Sequence, residues 1–155
     1  MKLALNFLLI CTSLVSTGAF AEANNKLGLS TGEIRAFIVE RTLGDIVEVE
    51  EDFGFTMRRE SGSPWFILLQ DSYFGMSVAW GIDEVLDNTQ FYYSILREAD
   101  NYAFVKVHLT EDTLLKFSYE AQPKHMTKED LGYAMDELAL FEAKAVAIAS
   151  SFSSQ

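Results

Sequence analysis

The chain has 155 residues, 49% of them apolar, and this length and composition suit one compact domain and exclude a disordered chain. Its 12 Lys and Arg against 23 Asp and Glu give a net charge of −11, which argues against binding to nucleic acid or to an anionic membrane surface. The one Cys excludes an intrachain disulfide and a CxxC-type zinc or redox site.

The first 21 residues have the layout of a secretory signal peptide. Lys2 provides a positive start, a short apolar run follows, and Ala19-Phe20-Ala21 forms an A-x-A cleavage site. The apolar run falls short of the ~20 residues that a membrane-spanning helix needs. We therefore expect cleavage after Ala21 and a periplasmic or secreted protein. The mature chain would carry a charge of −12, because the cut removes Lys2 and no acid, and would contain no cysteine.

Residues 22–29 are polar and are expected to form a flexible leader before the first helix. Ser30 and Glu33 have the spacing of a capping box, in which each side chain bonds to the other residue's amide. Apolar residues then recur at helical spacing, and Gly44 is suited to end the helix.

A block rich in strands follows this helix. Residues 45–51 alternate between apolar and acidic, and residues 53–59 continue as a second strand. After a Ser-Gly-Ser-Pro turn, Trp65–Leu69 is almost continuously apolar, which predicts a central strand covered on both faces. Tyr73–Trp80 is the predicted fourth strand.

The second half of the chain contains a helix, a hairpin and a long helix. Asp87-Asn88-Thr89 caps the helix, Tyr102–Leu109 and Leu114–Tyr119 form the hairpin, and Thr127–Asp130 caps the last helix. Residues 151–155 are expected to fray. The order α-ββββ-α-ββ-α predicts an α+β fold in one domain, residues 30–150, with helices packed on an antiparallel sheet.

No sequence motif identifies a residue of the chain as a nucleophile, a base or a metal ligand. His108 is predicted to face solvent on a strand, and His125 lies in a loop, so the two histidines do not converge. A G-x-S-x-G elbow, a Walker pattern and an EF-hand loop are all absent from the sequence. We therefore expect a protein that is not an enzyme and binds no cofactor or metal.

The aromatic residues permit two interpretations. Trp65, Phe74, Trp80 and Phe91 could line an apolar binding surface, or they could form the core, which is the preferred interpretation. Both hold if part of the sheet is uncovered, because an exposed apolar sheet face usually marks an interaction site.

Several segments of residues 30–150 together carry a family resemblance: the hairpin Asp45–Arg59, Phe91–Leu96 leading into Tyr102–Leu109, Thr113–Glu120 and the long helix from Thr127. In these segments and in element order the chain resembles the YbjN family, bacterial proteins described as sensory transduction regulators. The resemblance implies a fold similar to type III secretion chaperones, often dimeric, that binds partners and does not catalyse. Members often carry Asn-x-x-Asn after the second helix. Arg97, Glu98, Asp100 and Asn101 occupy that region here, so no functional residue is carried over.

Two functional hypotheses follow. The first is an exported, non-enzymatic interaction protein of YbjN-like, chaperone-like fold, with a protein partner of unknown identity and a homodimer formed through a sheet face or the last helix. Nucleic acid and, after signal cleavage, membrane are not expected as partners. The alternative is a carrier of a small apolar ligand, with a pocket between sheet and helices lined by Trp65, Phe74 and Phe91.

Overall fold

The computed structural model describes residues 27–42, 45–50, 54–59, 62–82, 86–110 and 114–153. Over these ranges the elements in chain order are α1 (Thr31–Thr42), β1 (Asp45–Glu50), β2 (Gly54–Arg58), β3 (Trp65–Gln70), β4 (Tyr73–Gly81), α2 (Thr89–Ala99), β5 (Lys106–Leu109), β6 (Leu114–Ala121), a 3-10 turn (Pro123–His125) and α3 (Lys128–Ser153). The predicted order α-ββββ-α-ββ-α is confirmed. The predicted signal peptide and most of the leader lie outside the described residues.

The helices begin at the caps that the sequence indicates. At α1 the Glu33 amide donates to Ser30 Oγ at 3.3 Å, and the Ser30 amide donates to the Glu33 carboxylate at 2.9 Å. At α2 the Phe91 amide donates to Asn88 Oδ1 at 2.8 Å. Each cap satisfies amides that have no partner inside the helix. At the other end of the fold, α3 continues through Ser153, into the segment expected to fray.

The last two residues of the expected leader are held by the domain. The amides of Gly28 and Leu29 donate to the carbonyls of Met126 and Pro123, both at 2.9 Å, and the Leu29 side chain is buried. Because these bonds join the start of α1 to the turn before α3, the domain begins before Ser30.

All six strands of the described chain form one antiparallel sheet in the order β1-β2-β3-β4-β6-β5. The β5–β6 hairpin folds back so that β6 lies beside β4 and β5 forms an edge. Strand β5 is shorter than predicted. Tyr102 donates its amide to the Ala99 carbonyl at 3.0 Å and Phe104 donates its amide to Glu137 of α3 at 2.8 Å, so the chain before Lys106 bonds to the helices instead of the sheet.

The core lies between one face of this sheet and the helices. The buried sheet residues alternate along each strand and face the buried residues of the helices, with Phe117 of β6 against Phe141 of α3 at a ring separation of 4.9 Å. The buried sheet residues are Phe55, Met57, Trp65, Ile67, Phe74, Met76, Val78, Leu115, Phe117 and Tyr119. The buried helix residues include Ile34, Ile38, Phe91, Ile95, Leu131, Met135, Leu138 and Phe141.

A buried ion pair ties the β2–β3 turn to the middle of α3. The Arg59 guanidinium donates to the Glu142 carboxylate, and the two side chains are only 10% and 5% exposed. Glu142 also accepts the Ser63 amide at 2.7 Å, while Arg59 donates to the Ser63 carbonyl at 3.0 and 2.7 Å. Arg59 stacks on the Trp65 ring, with its Cζ 4.5 Å from the ring centre. The turn is therefore fixed to the helix through both charges.

Gly62 is required beside this ion pair. Its φ of +84° lies in the left-handed region, and a Cβ there would clash with Arg59 Nη2 and lie 2.9 Å from Glu142 Oε2. Any other residue would be strained at this position and would push the two charged groups apart.

We expect Glu142→Ala to lower the free energy of unfolding by about 3–5 kcal/mol, because it leaves the Arg59 charge buried without a counter-charge. The matched control is Asp136→Ala, on the same helix, which removes an exposed ion pair with Arg41. That variant should cost less than about 1 kcal/mol. Urea unfolding of both variants measures the difference, and equal losses would contradict a structural role for the buried pair.

Candidate interaction surfaces

Among the described residues no helix lies on one face of the sheet, and strand β3 exposes two large apolar residues there. On β3, Trp65 and Ile67 point toward the helices and are buried, whereas Phe66 and Leu68 are 45% and 43% exposed on the opposite side. The prediction that this strand is covered on both faces is therefore wrong. A single exposed apolar side chain is ordinary, but two neighbours on one strand form the start of a patch.

The strand next to β3 presents small side chains on the same face. The register pairs Phe66 with Ser77 and Leu68 with Gly75 on β4, and Ala79 follows on the same side. We call this surface the open sheet face; among the described side chains it includes Thr56, Arg58, Phe66, Leu68, Gln70, Tyr73, Gly75, Ser77, Ala79, Lys106, His108, Leu114, Lys116, Ser118 and Glu120. At its centre, the large side chains of β3 lie beside the small side chains of β4.

Polar residues define one end of the open sheet face. Lys106 Nζ donates to the Glu120 carboxylate at 3.0 Å, and this hydrogen bond, opposed by partial burial, lowers the pKa of Glu120. The Tyr73 ring lies over Gly75, where an added Cβ would be 2.9 Å from the tyrosine hydroxyl. Burial, together with the Glu120 charge and hydrogen bond, raises the pKa of Tyr73. These three side chains cross the sheet from β5 to β4.

We expect Lys106→Met to raise the pKa of Glu120, because it removes the largest cause of the lowered value. In the wild type the bond stabilises the fold above the unfolded-state pKa of the carboxyl, and the contribution is lost as the pH falls through the lower folded-state pKa. Carboxyl-carbon NMR titration reports the shift. Lys116→Met is the matched control and should move the pKa less, since Lys116 acts only through its charge; an equal effect would refute the assignment to the hydrogen bond.

A second surface is a groove between α2 and β5, with a volume of about 520 Å³. We call it the α2–β5 groove; its lining residues are Tyr93, Leu96, Arg97, Ala99, Asp100, Tyr102, Val105 and Val107. Tyr93 and Leu96 are 63% and 52% exposed. Leu109, also exposed, continues the helix-facing side of β5 beyond the groove.

The α2–β5 groove exists because α2 buries only one of its sides. Phe91 and Ile95 are buried against the core, and the Phe91 ring contacts the Phe152 ring of α3 at 5.7 Å. On the opposite side Tyr93 and Leu96 are exposed, and no element of the described ranges covers them. Within the described chain, β5 pairs only with β6, so the groove runs beside a sheet edge whose backbone groups have no strand partner there.

The floor of the groove is anchored to the core. The Tyr102 ring packs edge-on against Phe141 at 5.3 Å, and its hydroxyl donates to Glu98 at 3.2 Å. Burial, followed by the charge of Glu98, raises the pKa of Tyr102. These contacts tie Tyr102 to α2 and to α3.

The four aromatic residues named from the sequence do not form a surface together. Trp65, Phe74 and Phe91 are buried in the core, in line with the preferred interpretation. Trp80 is half-buried; its ring packs on Phe117 at 5.0 Å, and its indole N–H donates to Ser63 at 3.1 Å. Phe66, Leu68, Tyr93 and Leu96 are among the residues that are exposed instead, and each follows a buried neighbour by one strand position or by part of a helical turn.

The described residues contain no cluster of three or more His, Cys, Asp or Glu that could hold a metal ion. His108 is exposed on β5 and His125 is exposed in the 3-10 turn. Among the helices of the same ranges, none is long and apolar enough to span a membrane.

Solved structures share this fold with the chain. YbjN from E. coli matches with a TM-score of 0.56 at 12% identity, over 77% of this chain and 93% of its own. A chain of the ExoU–SpcU heterodimer from the type III secretion system of Pseudomonas aeruginosa matches with a TM-score of 0.57 at 12% identity, over 73% and 94%. The Yersinia pestis type III secretion chaperone SycH, in complex with a fragment of YscM2, matches with a TM-score of 0.52 at 17% identity, over 74% and 95%.

No protein-family model and no curated protein matches the sequence. The structural matches define the fold: an α+β, YbjN-like domain of the kind that type III secretion chaperones share.

Proposed function

We propose that this chain is an exported, non-enzymatic protein-interaction module that binds a partner polypeptide at the α2–β5 groove. The observation that carries the proposal is the position of this apolar groove beside a sheet edge without a strand partner in the described chain. The finer role that the YbjN resemblance implies, regulation of sensory transduction, would be exercised through such a partner.

The groove and the edge together suit an extended segment. A partner strand aligned with β5 would form backbone hydrogen bonds to its outer edge, and alternate side chains would enter the groove between Tyr93 and Val107. Because β5 has only four residues, those backbone bonds are few, and most of the affinity must come from the apolar contacts. Tyr93 is the expected anchor, since exposed tyrosines contribute strongly to interfaces at little cost in side-chain entropy.

The fold relatives are consistent with this role. SycH was solved with a fragment of YscM2, and the ExoU–SpcU structure is a heterodimer. These statements concern those proteins, and they support a binding function for a chain of the same fold.

No observation favours the alternative, a small-ligand carrier. The proposed pocket residues Trp65, Phe74 and Phe91 are packed inside the core, where Phe74 contacts the Tyr119 ring and Phe91 contacts Phe152. Neither the α2–β5 groove nor the smaller groove beside Trp80 and Val146 is lined by any of the three.

We expect Tyr93→Ser combined with Leu96→Ser to reduce partner capture by about tenfold or more, the usual effect of removing anchor residues. The test is quantitative co-purification of tagged protein from native cells, followed by binding measurements with the recovered partner. Leu140→Ser is the matched control, because Leu140 is a comparably exposed leucine on α3, away from the groove. Equal capture by the groove variant and the wild type would refute the groove as the docking site.

Export is the second part of the proposal and rests on residues 1–21. We expect protein recovered from the periplasm or medium to begin at Glu22, because Ala19-Phe20-Ala21 fits signal peptidase. Intact-mass analysis measures this. Replacing Ala19 and Ala21 with bulky residues should leave the precursor uncut, and a wild-type protein that keeps Met1 in the cytoplasm would contradict export.

A further inference from the structure

We propose that the segment bound at the α2–β5 groove alternates apolar and acidic residues, with an acidic side chain lying beside Lys106 on the open sheet face. This pattern rests on the function proposed for the groove, to which it adds the chemistry of the partner. Its origin is the difference between the two faces of β5, because a strand added at the edge of the sheet contacts both.

The two faces of β5 present different side chains along the edge that has no strand partner in the described chain. Val107 lines the groove, and its register partner on β6 is the buried Phe117, so it lies on the helix-facing side. Lys106 and His108, the residues before and after it, are exposed and point to the open sheet face. One face of this short strand is therefore apolar and the other is basic.

A strand added beside β5 would place its side chains alternately on these two faces. Residues directly opposite each other in neighbouring strands point to the same face, with Cβ atoms about 4.5–5.5 Å apart. A residue opposite Val107 therefore enters the groove, and the residues on either side of it lie on the open sheet face beside Lys106 or His108. This holds for either direction of the added strand. A segment with a period of two, apolar on one side and charged on the other, fits both faces.

The open sheet face is basic near this edge. On β4, β6 and β5, whose residues are all described, its basic side chains are Lys106, His108 and Lys116, and its acid is Glu120 alone. The three basic side chains lie close together, since the charge of each lowers the pKa of Glu120. The groove side, in contrast, is lined by one arginine and one aspartate, whose charges balance. A carboxylate is therefore favoured on the open side of the segment.

The negative charge of the whole chain does not prevent this contact. The net charge is −11, but at ~0.15 M salt charges are largely screened beyond about 8 Å. A carboxylate opposite Lys106 lies within that distance, so the local positive charge decides its binding. Glu111 and Asp112 follow β5 in the sequence, beyond His108 and Leu109. We therefore place the acidic residue of the segment opposite Lys106, at the end of β5 away from these acids.

Lys106 is available for a second carboxylate. Its side chain is 53% exposed, and its ammonium group has three donors, of which Glu120 accepts one at 3.0 Å. Its register partner Ser118 has a buried hydroxyl with no hydrogen-bond partner in the described part of the chain. If Lys106 turns outward to the bound segment, water can reach this hydroxyl. The loss of an exposed ion pair is small, and hydration of Ser118 offsets it.

Two short synthetic peptides test the pattern, one alternating Val with Glu and the other alternating Val with Lys. We expect the Val–Glu peptide to bind about tenfold more tightly at ~0.15 M salt, because opposite charges stabilise cross-strand pairs and like charges destabilise them. Fluorescence anisotropy measures both affinities. Lys106→Glu should abolish this preference. Lys144→Glu is the matched control, since it changes the net charge equally at an exposed position on α3 and should keep the preference. Circular dichroism confirms that each variant is folded.

Tyr93→Ser combined with Leu96→Ser should weaken both peptides, because both place Val side chains in the groove. Equal affinities for the two peptides that fall together in this variant would overturn the acidic pattern and leave the proposed function standing. A preference that survives Lys106→Glu, or binding that the groove variant leaves unchanged, would place recognition on another surface and would also overturn the pattern. Absence of binding by either peptide would overturn it as well, while partner capture, measured separately, decides the proposed function.

Discussion

The described helices of this domain all lie on one face of a six-stranded sheet, and the remaining features follow from that one-sided covering. Side chains alternate between the two faces of a strand, so half of each strand enters the core and half is left to solvent. The buried half is large and apolar, as at Trp65 and Phe117. The side chains on the other face are small on β4, charged on β6 and apolar on β3, and together they form the open sheet face.

A buried ion pair joins the β2–β3 turn to helix α3. Arg59 and Glu142 are satisfied by each other and by the Ser63 backbone, while Trp80 bonds to the Ser63 hydroxyl. Loops at the end of a hairpin are ordinarily mobile. Here the bonds among Arg59, Ser63 and Glu142 fix the turn to α3.

The α2–β5 groove and the open sheet face differ in shape. The α2–β5 groove offers one narrow channel beside a sheet edge that has no strand partner in the described chain, and this arrangement suits an extended segment. The open sheet face is broader and lies across strands β2 to β6.

Local physics was enough to predict the elements of this fold and their order. The Ser30–Glu33 box, the Asn88 cap and the alternation of Leu115, Phe117 and Tyr119 depend on neighbours within one turn or one strand, and the structure confirms each of them. The shorter β5 was not predictable in this way, because Phe104 bonds to Glu137, which is 33 residues away in the sequence.

The sequence by itself therefore determined the caps, the strand periodicity, the absence of a catalytic motif and the aromatic character of the core. Only the tertiary structure decided which apolar residues are exposed. Trp65 and Phe66 are adjacent and equally apolar, and no local pattern shows that helices cover one face of β3 and not the other. Covering depends on where α1, α2 and α3 pack, which is set by contacts distant in sequence, and for this reason the interaction surfaces emerged only from the fold.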